Sequence, residues 1–251
     1  MFRPRVIPVL LLKNGALCKT VQFDKPKYIG DPINAVKIFN DSKADELVFL
    51  DIEASKNNRL ISLDFVKEVG EEANMPFAVG GGITSIKDIR SILNAGAEKV
   101  IIGSFAIQNP NFIKEAAETF GSSTIVVCLD VKKKFLGKVQ VWSYSGSKAS
   151  GIEPVEFAQQ MQQMGAGELI IQSIEKDGMM TGYDYDLLKN IAQSVTIPTI
   201  ALGGAGNLQH LKQAYAQTHV SALAAGSLFV FKGSNKGVLI NYPDKKELQF
   251  D

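Results

Sequence analysis

The chain has few of the residues on which catalysis most often depends. Its 251 residues include two histidines and two cysteines. Two histidines are too few for a histidine-rich metal site, and for His210 and His219 we expect surface or structural roles rather than catalytic ones. Cys18 and Cys128 lack the spacing of a metal-binding motif. We therefore expect no metal and no cofactor, and we assign proton transfer to carboxylates or lysines.

The chain also has little net charge and no long apolar run. The formal charge of +1 gives no reason to expect binding to nucleic acid or to an anionic membrane surface. No apolar run approaches the roughly 18–20 residues that cross a bilayer. Residues 1–5 include two arginines, but neither an apolar stretch nor a cleavage site of a signal peptide follows them. We expect a reduced, cytoplasmic protein with no nucleic-acid or membrane partner.

Apolar runs of strand length alternate with segments of helical period along the whole chain. The apolar runs have the composition of strands buried on both faces, as in parallel sheets. Eight strands with seven helices between them predict an α/β fold, a (β/α)8 TIM barrel, and the absence of a linker predicts one domain over residues 1–251. The predicted strands are 6–12, 47–52, 76–79, 100–102, 124–129, 169–173, 198–202 and 222–225, and the predicted helices are 32–42, 62–73, 85–95, 111–120, 154–164, 185–193 and 208–217.

Two long excursions interrupt this alternation. Residues 13–31 follow the first strand and residues 131–151 follow the fifth, so they occupy equivalent places in the two halves of the chain. Function in this fold lies at the carboxyl ends of the strands, so both are candidate active-site loops. Residues 139–144 alternate as a hairpin strand does. After Phe231, Gly233, Gly237 and Pro243 argue against a full eighth helix.

Two sets of small residues repeat at a fixed distance. Gly80, Gly81 and Gly82 with Gly103 and Ser104 form the first set, and the second comprises Gly203, Gly204, Ala205, Gly206, Gly226 and Ser227; Gly204 follows Gly82 by 122 residues and Gly226 follows Gly103 by 123. Each set comes directly after predicted strands, where exposed glycine amides suit an anion. We call them the first seat and the second seat. The repeat predicts a half-barrel duplication and a ligand with a phosphate at each end.

Carboxylates at strand ends are the candidates for acid–base chemistry. Asp130 ends the fifth strand beside a long loop and is the stronger candidate. Asp51 ends the second strand and could equally cap the loop that follows. Asp177 and Gly178 could position backbone donors or form an ordinary turn. The repeat aligns Leu11 with Asp130, so one wall of a two-acid site would be apolar and unable to transfer a proton.

Four charges stand at the opposite ends of the strands. Arg5, Glu46, Lys99 and Glu168 precede apolar runs, and their formal charges sum to zero. Facing inward, they would form a compensated ring across the bottom of the barrel. Facing outward, they would be scattered surface charges, which is the commoner case for any single one.

A series of motifs in order along the chain resembles the cyclase subunit, of HisF type, of imidazole glycerol phosphate synthase. The resemblance runs from Arg5 to about Phe231, and so many motifs in order make it specific. The motifs are IP (7–8), KNG (13–15), GDP (30–32), DELVFLDI (45–52), VGGGI (79–83), GAGE (165–168), DG (177–178), GYD (182–184) and GGAG (203–206).

The resemblance implies a barrel that docks a glutaminase subunit, of HisH type, at its bottom face. Ammonia released there would pass through the barrel to a bis-phosphate substrate at the top. Arg5, Glu46, Lys99 and Glu168 match the family's ammonia gate. The residues expected at the substrate and its phosphates are Lys19, Gly81, Gly82, Gly103, Ser104, Asp177, Gly178, Gly203, Gly204, Gly226 and Ser227.

The departures from the family concentrate at the top. Of the family's two catalytic aspartates, one matches Asp130 and the other is replaced by Leu11. Val9 stands in place of a cysteine, and Gly103 in place of an asparagine. The pattern resembles a divergent branch linked to amidation of bacterial surface sugars, in which the barrel and its glutaminase supply a separate sugar amidotransferase. The alternatives are an authentic cyclase of histidine biosynthesis and a non-catalytic phosphate-binding scaffold.

Overall fold

Eight parallel strands close into a barrel in the computed structural model, which describes residues 3–134, 137–233 and 235–250. Around the ring the strands follow the order β1, β4, β5, β6, β7, β10, β11, β12, and β12 pairs with β1 to close it. The predicted TIM barrel is confirmed. The strands are β1 (Arg5–Lys13), β2 (Ala16–Val21), β3 (Asp24–Gly30), β4 (Leu47–Asp51), β5 (Phe77–Gly80), β6 (Lys99–Ile102), β7 (Ile125–Lys133), β8 (Val139–Ser143), β9 (Lys148–Ala149), β10 (Glu168–Ser173), β11 (Thr199–Leu202), β12 (Ala222–Ala225), β13 (Phe231–Lys232) and β14 (Gly237–Val238).

All seven predicted helices form, and each end lies within one residue of its predicted position. Side chains that accept the backbone N–H three residues further on begin most of them, as Ser85 does in a reciprocal capping box with Asp88. Two short helices, α4 and α9, were not predicted. The helices are α1 (Pro32–Asp41), α2 (Leu63–Glu72), α3 (Ile86–Asn94), α4 (Ser104–Gln108), α5 (Pro110–Phe120), α6 (Pro154–Gln163), α7 (Tyr185–Ala192), α8 (Leu208–Thr218) and α9 (Ser227–Val230), with a 3-10 turn at Ser122–Thr124.

Both long excursions contain antiparallel strands. The first is the hairpin β2–β3, which continues from β1. In the second, β8 pairs with β7 and places Trp142 opposite Asp130. The alternating segment 139–144 is therefore confirmed as a strand as far as Ser143, and Tyr144 begins the turn that follows. The prediction that the fifth strand ends at residue 129 was wrong, because β8 extends the pairing of β7 to Lys133.

Apolar side chains form two layers. The larger lies between the strands and the surrounding helices, and the smaller fills the interior of the barrel. Because side chains alternate along each strand, every second residue points inward. The inner layer is formed by Ile7, Val9, Val48, Ala78, Ile101, Val126, Cys128, Ile170, Ile200, Leu202, Ala222 and Ala224.

The tail after β13 packs without forming a helix among its described residues. The Tyr242 ring lies against Phe39 and Phe229, and the Tyr242 hydroxyl donates to the Val6 carbonyl at 3.0 Å. Glycines and Pro243 break the helical pattern here, as the sequence predicts. Met1 and Phe2 of the basic start, and Ser234 in the tail, lie outside the described residues. Within the described ranges, no helix combines the length and apolarity needed to span a bilayer.

Candidate active site and charged ring

Four charged side chains form a closed ring at the amino-terminal ends of the strands. Arg5 contacts a carboxylate oxygen of Glu46 and one of Glu168. Lys99 Nζ lies 3.4 Å from Oε1 of Glu46 and 3.0 Å from Oε2 of Glu168. Each carboxylate is thus shared by both cations. We call this set the charged ring, and its members are neither scattered nor fully exposed.

The charges of the ring must balance because its two carboxylates are buried. Glu46 is 3% and Glu168 8% exposed, and an unpaired carboxylate at such positions would be costly. Burial alone would lower the pKa of Arg5, but Glu168 and Glu46 raise it above its usual value. The apolar inner layer of the barrel lies directly above the ring. Together they give a barrel with a charged base and an apolar interior.

The interior opens at the other end into a cavity of about 610 Å³. The first seat contributes Gly81, Gly82, Gly103 and Ser104 to its wall. Asp130 and Leu11 line the same cavity. The equivalent positions of the two halves therefore share one space, with a carboxylate on one strand and an alkyl group on the other.

The pKa of Asp130 lies close to neutral pH. Burial raises its pKa to about 7, the negative charge of Asp177 adds to the rise, and a hydrogen bond from Cys128 opposes it. The Cys128 thiol donates to Oδ1 of Asp130 at 3.6 Å. Burial raises the pKa of Cys128 well above its usual value, so this thiol stays protonated and can donate. A carboxyl group with a pKa near 7 can both accept and release a proton at neutral pH.

The second seat surrounds a lysine. Lys19, on β2, is 7% exposed, and its Nζ donates to the Val9 carbonyl at 2.6 Å. Burial lowers the pKa of Lys19 to about 8, against the opposing charge of Asp177. A small cavity of about 20 Å³ lies beside the lysine. Residues of β1, the β2–β3 hairpin, β10 and the loop after it, β11 and the second seat line it: Val9, Leu11, Lys19, Gln172, Asp177, Gly178, Leu202, Gly203, Gly204, Ala205, Gly226 and Ser227.

Asp177 fastens the β2–β3 hairpin to the loop after β10. Its Oδ2 accepts from the Thr20 hydroxyl at 2.7 Å and from the Phe23 N–H at 3.3 Å. Its backbone carbonyl accepts from the Gln22 N–H at 2.9 Å. Gly178 lies so close to the Thr20 carbonyl that a Cβ would come within 2.2 Å of it. Asp177 and Gly178 thus hold a loop in place, which neither of their sequence interpretations included.

Asp51 caps the loop after β4. Its carboxylate accepts from the N–H groups of Glu53 and Ala54 and binds the Arg59 guanidinium through both oxygens, with Arg59 Nη1 at 2.6 Å from Oδ2. All these contacts are internal to the loop. Of the two interpretations of Asp51, the structure supports the loop cap. Nothing in the pattern around Arg59 indicated it as the partner.

The tip of the second excursion covers the first seat. The Tyr144 N–H donates to Oγ of Ser104 at 2.8 Å, and the Tyr144 hydroxyl accepts from the Gln108 amide at 3.0 Å. The Ser145 hydroxyl donates to the Ile52 carbonyl at 2.9 Å. The sequence predicts a hairpin here but not these contacts, because they join residues about 40 and 93 positions apart.

The three positions at which the chain departs from the family, Val9, Leu11 and Gly103, present apolar side chains or no side chain. Val9 belongs to the apolar inner layer, and Leu11 packs against it. At Gly103 a Cβ would meet only the Cys128 carbonyl, at 3.7 Å, so a side chain would have room. No group of three or more potential metal ligands occurs among the residues that the structure describes.

Comparisons with known proteins identify the family of this barrel. The sequence pattern of the family described as "Histidine biosynthesis protein" matches residues 5–235. The chain belongs to this family, and within it to the HisF-type cyclase subunits.

Relatives align over almost the whole chain. A Pseudomonas aeruginosa protein named "Putative imidazole glycerol phosphate synthase subunit hisF2" is 45% identical over 99% of both chains. A Leptospira interrogans protein named "Putative imidazole glycerol phosphate synthase subunit HisF" is 42% identical over 98% of both. "Imidazole glycerol phosphate synthase subunit HisF" of Alkaliphilus metalliredigens is 42% identical over 91% of both.

Proposed function

We propose that this chain is the ammonia-receiving barrel subunit of a glutamine amidotransferase complex, in which the cyclase chemistry is weakened. A glutaminase of HisH type docks at the bottom face and releases ammonia beneath the charged ring. The ammonia leaves at the top and serves the amidation of a nucleotide sugar for a surface polysaccharide by a separate sugar amidotransferase. The observation that carries this proposal is the contrast between an intact charged ring and a one-sided upper site.

Two features of the lower half of the barrel support conduction of ammonia. Arg5, Glu46, Lys99 and Glu168 bind only one another in the ring, so their charges are balanced without a ligand. The inner layer above them consists of apolar side chains and the Cys128 thiol, which its raised pKa keeps protonated. A neutral molecule that crosses the ring therefore passes mainly apolar side chains before it reaches the level of Asp130.

The upper half of the barrel supports the weakened-cyclase part of the proposal. Forming the imidazole ring needs proton transfer on both sides of the reacting centre, and a positioned acid or base is typically worth about 100- to 10,000-fold in rate. Asp130 can supply one such group. Leu11 cannot supply the other, and Asp51 is engaged by Arg59. The assignment to surface-sugar amidation rests on the resemblance to the divergent branch.

An authentic cyclase of histidine biosynthesis is the second candidate, and one observation favours it. Asp130 has a pKa of about 7 and Lys19 a pKa of about 8, so both groups exchange protons near neutral pH. Their cavities adjoin, since Leu11 and Gln172 line both. Lys19 would then act in place of the second aspartate, as acid while Asp130 acts as base.

A turnover assay distinguishes the two candidates. The purified chain is given excess ammonium salt and the bis-phosphate precursor, a phosphoribulosyl aminoimidazole carboxamide, and imidazole glycerol phosphate is measured. The HisF of Alkaliphilus metalliredigens serves as the reference. We expect a rate at least 100-fold below the reference, because one proton-transfer group is missing. A rate within tenfold of it would refute the weakened-cyclase proposal and support the authentic cyclase.

A further inference from the structure

The start of β1 is held by a neighbouring strand on one side only. β12 pairs with β1 from Arg5 onward. On the opposite side β4 begins at Leu47, and among the described residues its pairing with β1 starts at Val9, opposite Val48. Backbone groups that face β4 before Val9 therefore need partners other than a strand. Arg5, a member of the charged ring, lies in this stretch.

Two side chains supply those partners. The register of β1 and β4, continued toward the bottom of the barrel, sets Val6 level with Asp45. The Val6 N–H donates to Oδ2 of Asp45 at 2.9 Å. The Val6 carbonyl accepts from the Tyr242 hydroxyl at 3.0 Å. One side chain from the loop before β4 and one from the tail thus bind both polar groups of the Val6 backbone.

Tyr242 is anchored separately through its ring and its hydroxyl. The ring packs against Phe39 of α1 and Phe229 of α9, with centroids 6.4 and 5.5 Å away. The hydroxyl also lies 3.3 Å from Oδ2 of Asp45. Burial and the charge of Asp45 raise the pKa of Tyr242 above its usual value, so the hydroxyl stays protonated and can donate. Phenylalanine at this position would keep the ring contacts and lose only the hydrogen bond to Val6.

These contacts adjoin two members of the charged ring. Val6 follows Arg5, and Asp45 precedes Glu46, in the chain. Val6 packs outward, against the helices, and successive side chains of a strand point to opposite faces. A Val6 fixed in this orientation therefore directs Arg5 inward, where it contacts Glu46 and Glu168.

We propose that Tyr242 is a positioning residue for the charged ring. By binding the Val6 carbonyl it holds the start of β1 in place, and with it the Arg5 guanidinium between its two carboxylates. The consequence for ammonia rests on the proposed function, in which the ring is the lower entrance of the barrel. The tail, although far from the ring in sequence, then takes part in this entrance.

The side-chain nitrogen–proton signals of Arg5 test the positioning in the full chain alone, without any nitrogen source. In Tyr242→Phe we expect these signals to shift, and their protons to exchange with solvent about twofold to tenfold faster, the factor that one net hydrogen bond supplies. Tyr183→Phe is the matched control. The Tyr183 hydroxyl is also buried and also donates to a strand carbonyl, that of Ala224 on β12, at 2.9 Å. Its loss should leave the Arg5 signals as they are.

A purely structural tyrosine would give a different result. Unaltered Arg5 signals in Tyr242→Phe, with a lower Tm, would show that the hydroxyl stabilises the tail without positioning the ring, and would overturn the proposal. Equal changes of the Arg5 signals in the two variants would overturn it as well, because loss of any buried tyrosine hydrogen bond would then suffice.

The complex with the glutaminase gives a second measurement. In Tyr242→Phe we expect the glutamine-dependent rate of imidazole glycerol phosphate formation to fall about twofold to tenfold, and the rate with ammonium salt to stay within twofold. Equal losses with both nitrogen sources and unaltered Arg5 signals would make Tyr242 a structural residue. Altered Arg5 signals with both rates unchanged would support the positioning and refute conduction through the ring, so the two proposals fail separately.

Discussion

The Sγ of Cys128 lies 3.6 Å from Oδ1 of Asp130, two residues further along β7. The equivalent pair in the first half of the repeat is Val9 and Leu11, which has no polar side-chain atom. The polar side chains of this pair are thus stacked on one strand, β7, and the equivalent positions on β1 are apolar. Asp130 depends on Cys128 for the hydrogen bond that opposes the effect of burial on its pKa.

Removing the thiol should make Asp130 a weaker acid. In Cys128→Ala the carboxylate loses a donor, and the pKa of Asp130 should rise above about 7 by roughly 0.5, since a hydrogen bond is worth about 0.5–1.5 kcal/mol and a thiol is a weak donor. Asp130 would then be mostly protonated at pH 7. The measurement is the titration of its carboxyl carbon signal. Cys128→Ser retains a donor and is the control; it should titrate within a few tenths of the unaltered chain, and a rise equal to that of the alanine variant would contradict the role of the hydrogen bond.

Restoring a carboxyl group opposite Asp130 should restore chemistry if the rest of the site is sound. Leu11→Asp places an acid on the cavity wall that Leu11 now lines. We expect the rate of imidazole glycerol phosphate formation with ammonium to rise by at least tenfold, toward the gain of about 100- to 10,000-fold that a positioned acid or base supplies. Leu11→Asn, of similar size and without a titratable group, is the control. An equal rate in the two variants would shift the cause of weak turnover to Gly103 or to the loops.

The charged ring should matter for glutamine but not for free ammonium. Lys99→Ala leaves Glu46 and Glu168, both buried, with Arg5 alone, so the balance of the ring is lost. In the complex with the glutaminase we expect the glutamine-dependent rate to change severalfold while the rate with ammonium salt stays within twofold. Lys114→Ala is the control, because Lys114 is exposed and pairs only with Glu118, on its own helix. Equal losses with both nitrogen sources would refute a conducting role for the ring.

Local patterns predicted the scaffold of this molecule well and its contacts poorly. The helices begin and end where caps and apolar periods place them, since those signals lie within a few residues of one another. The charged ring joins residues 41 to 163 positions apart, so the sequence left open whether Arg5 and Glu168 meet. The Lys19 ammonium lies where a Cβ on Gly226, more than 200 residues away, would come within 1.9 Å of it, and local sequence does not report such a contact. Asp51 and Arg59 are near in sequence, but the turn residues between them form no motif that predicts a bidentate ion pair.

The contact between Tyr242 and Val6 has a consequence for how the chain folds during synthesis. The Tyr242 hydroxyl that binds the Val6 carbonyl is synthesised 236 residues after it. The partner strand β12, which pairs with β1 from Arg5 to Pro8, also follows β1 at a long distance along the chain. Until β12 is synthesised, one edge of β1 is unpaired, and an unpaired strand edge favours pairing with other chains. Pairing with β12 ends this exposure.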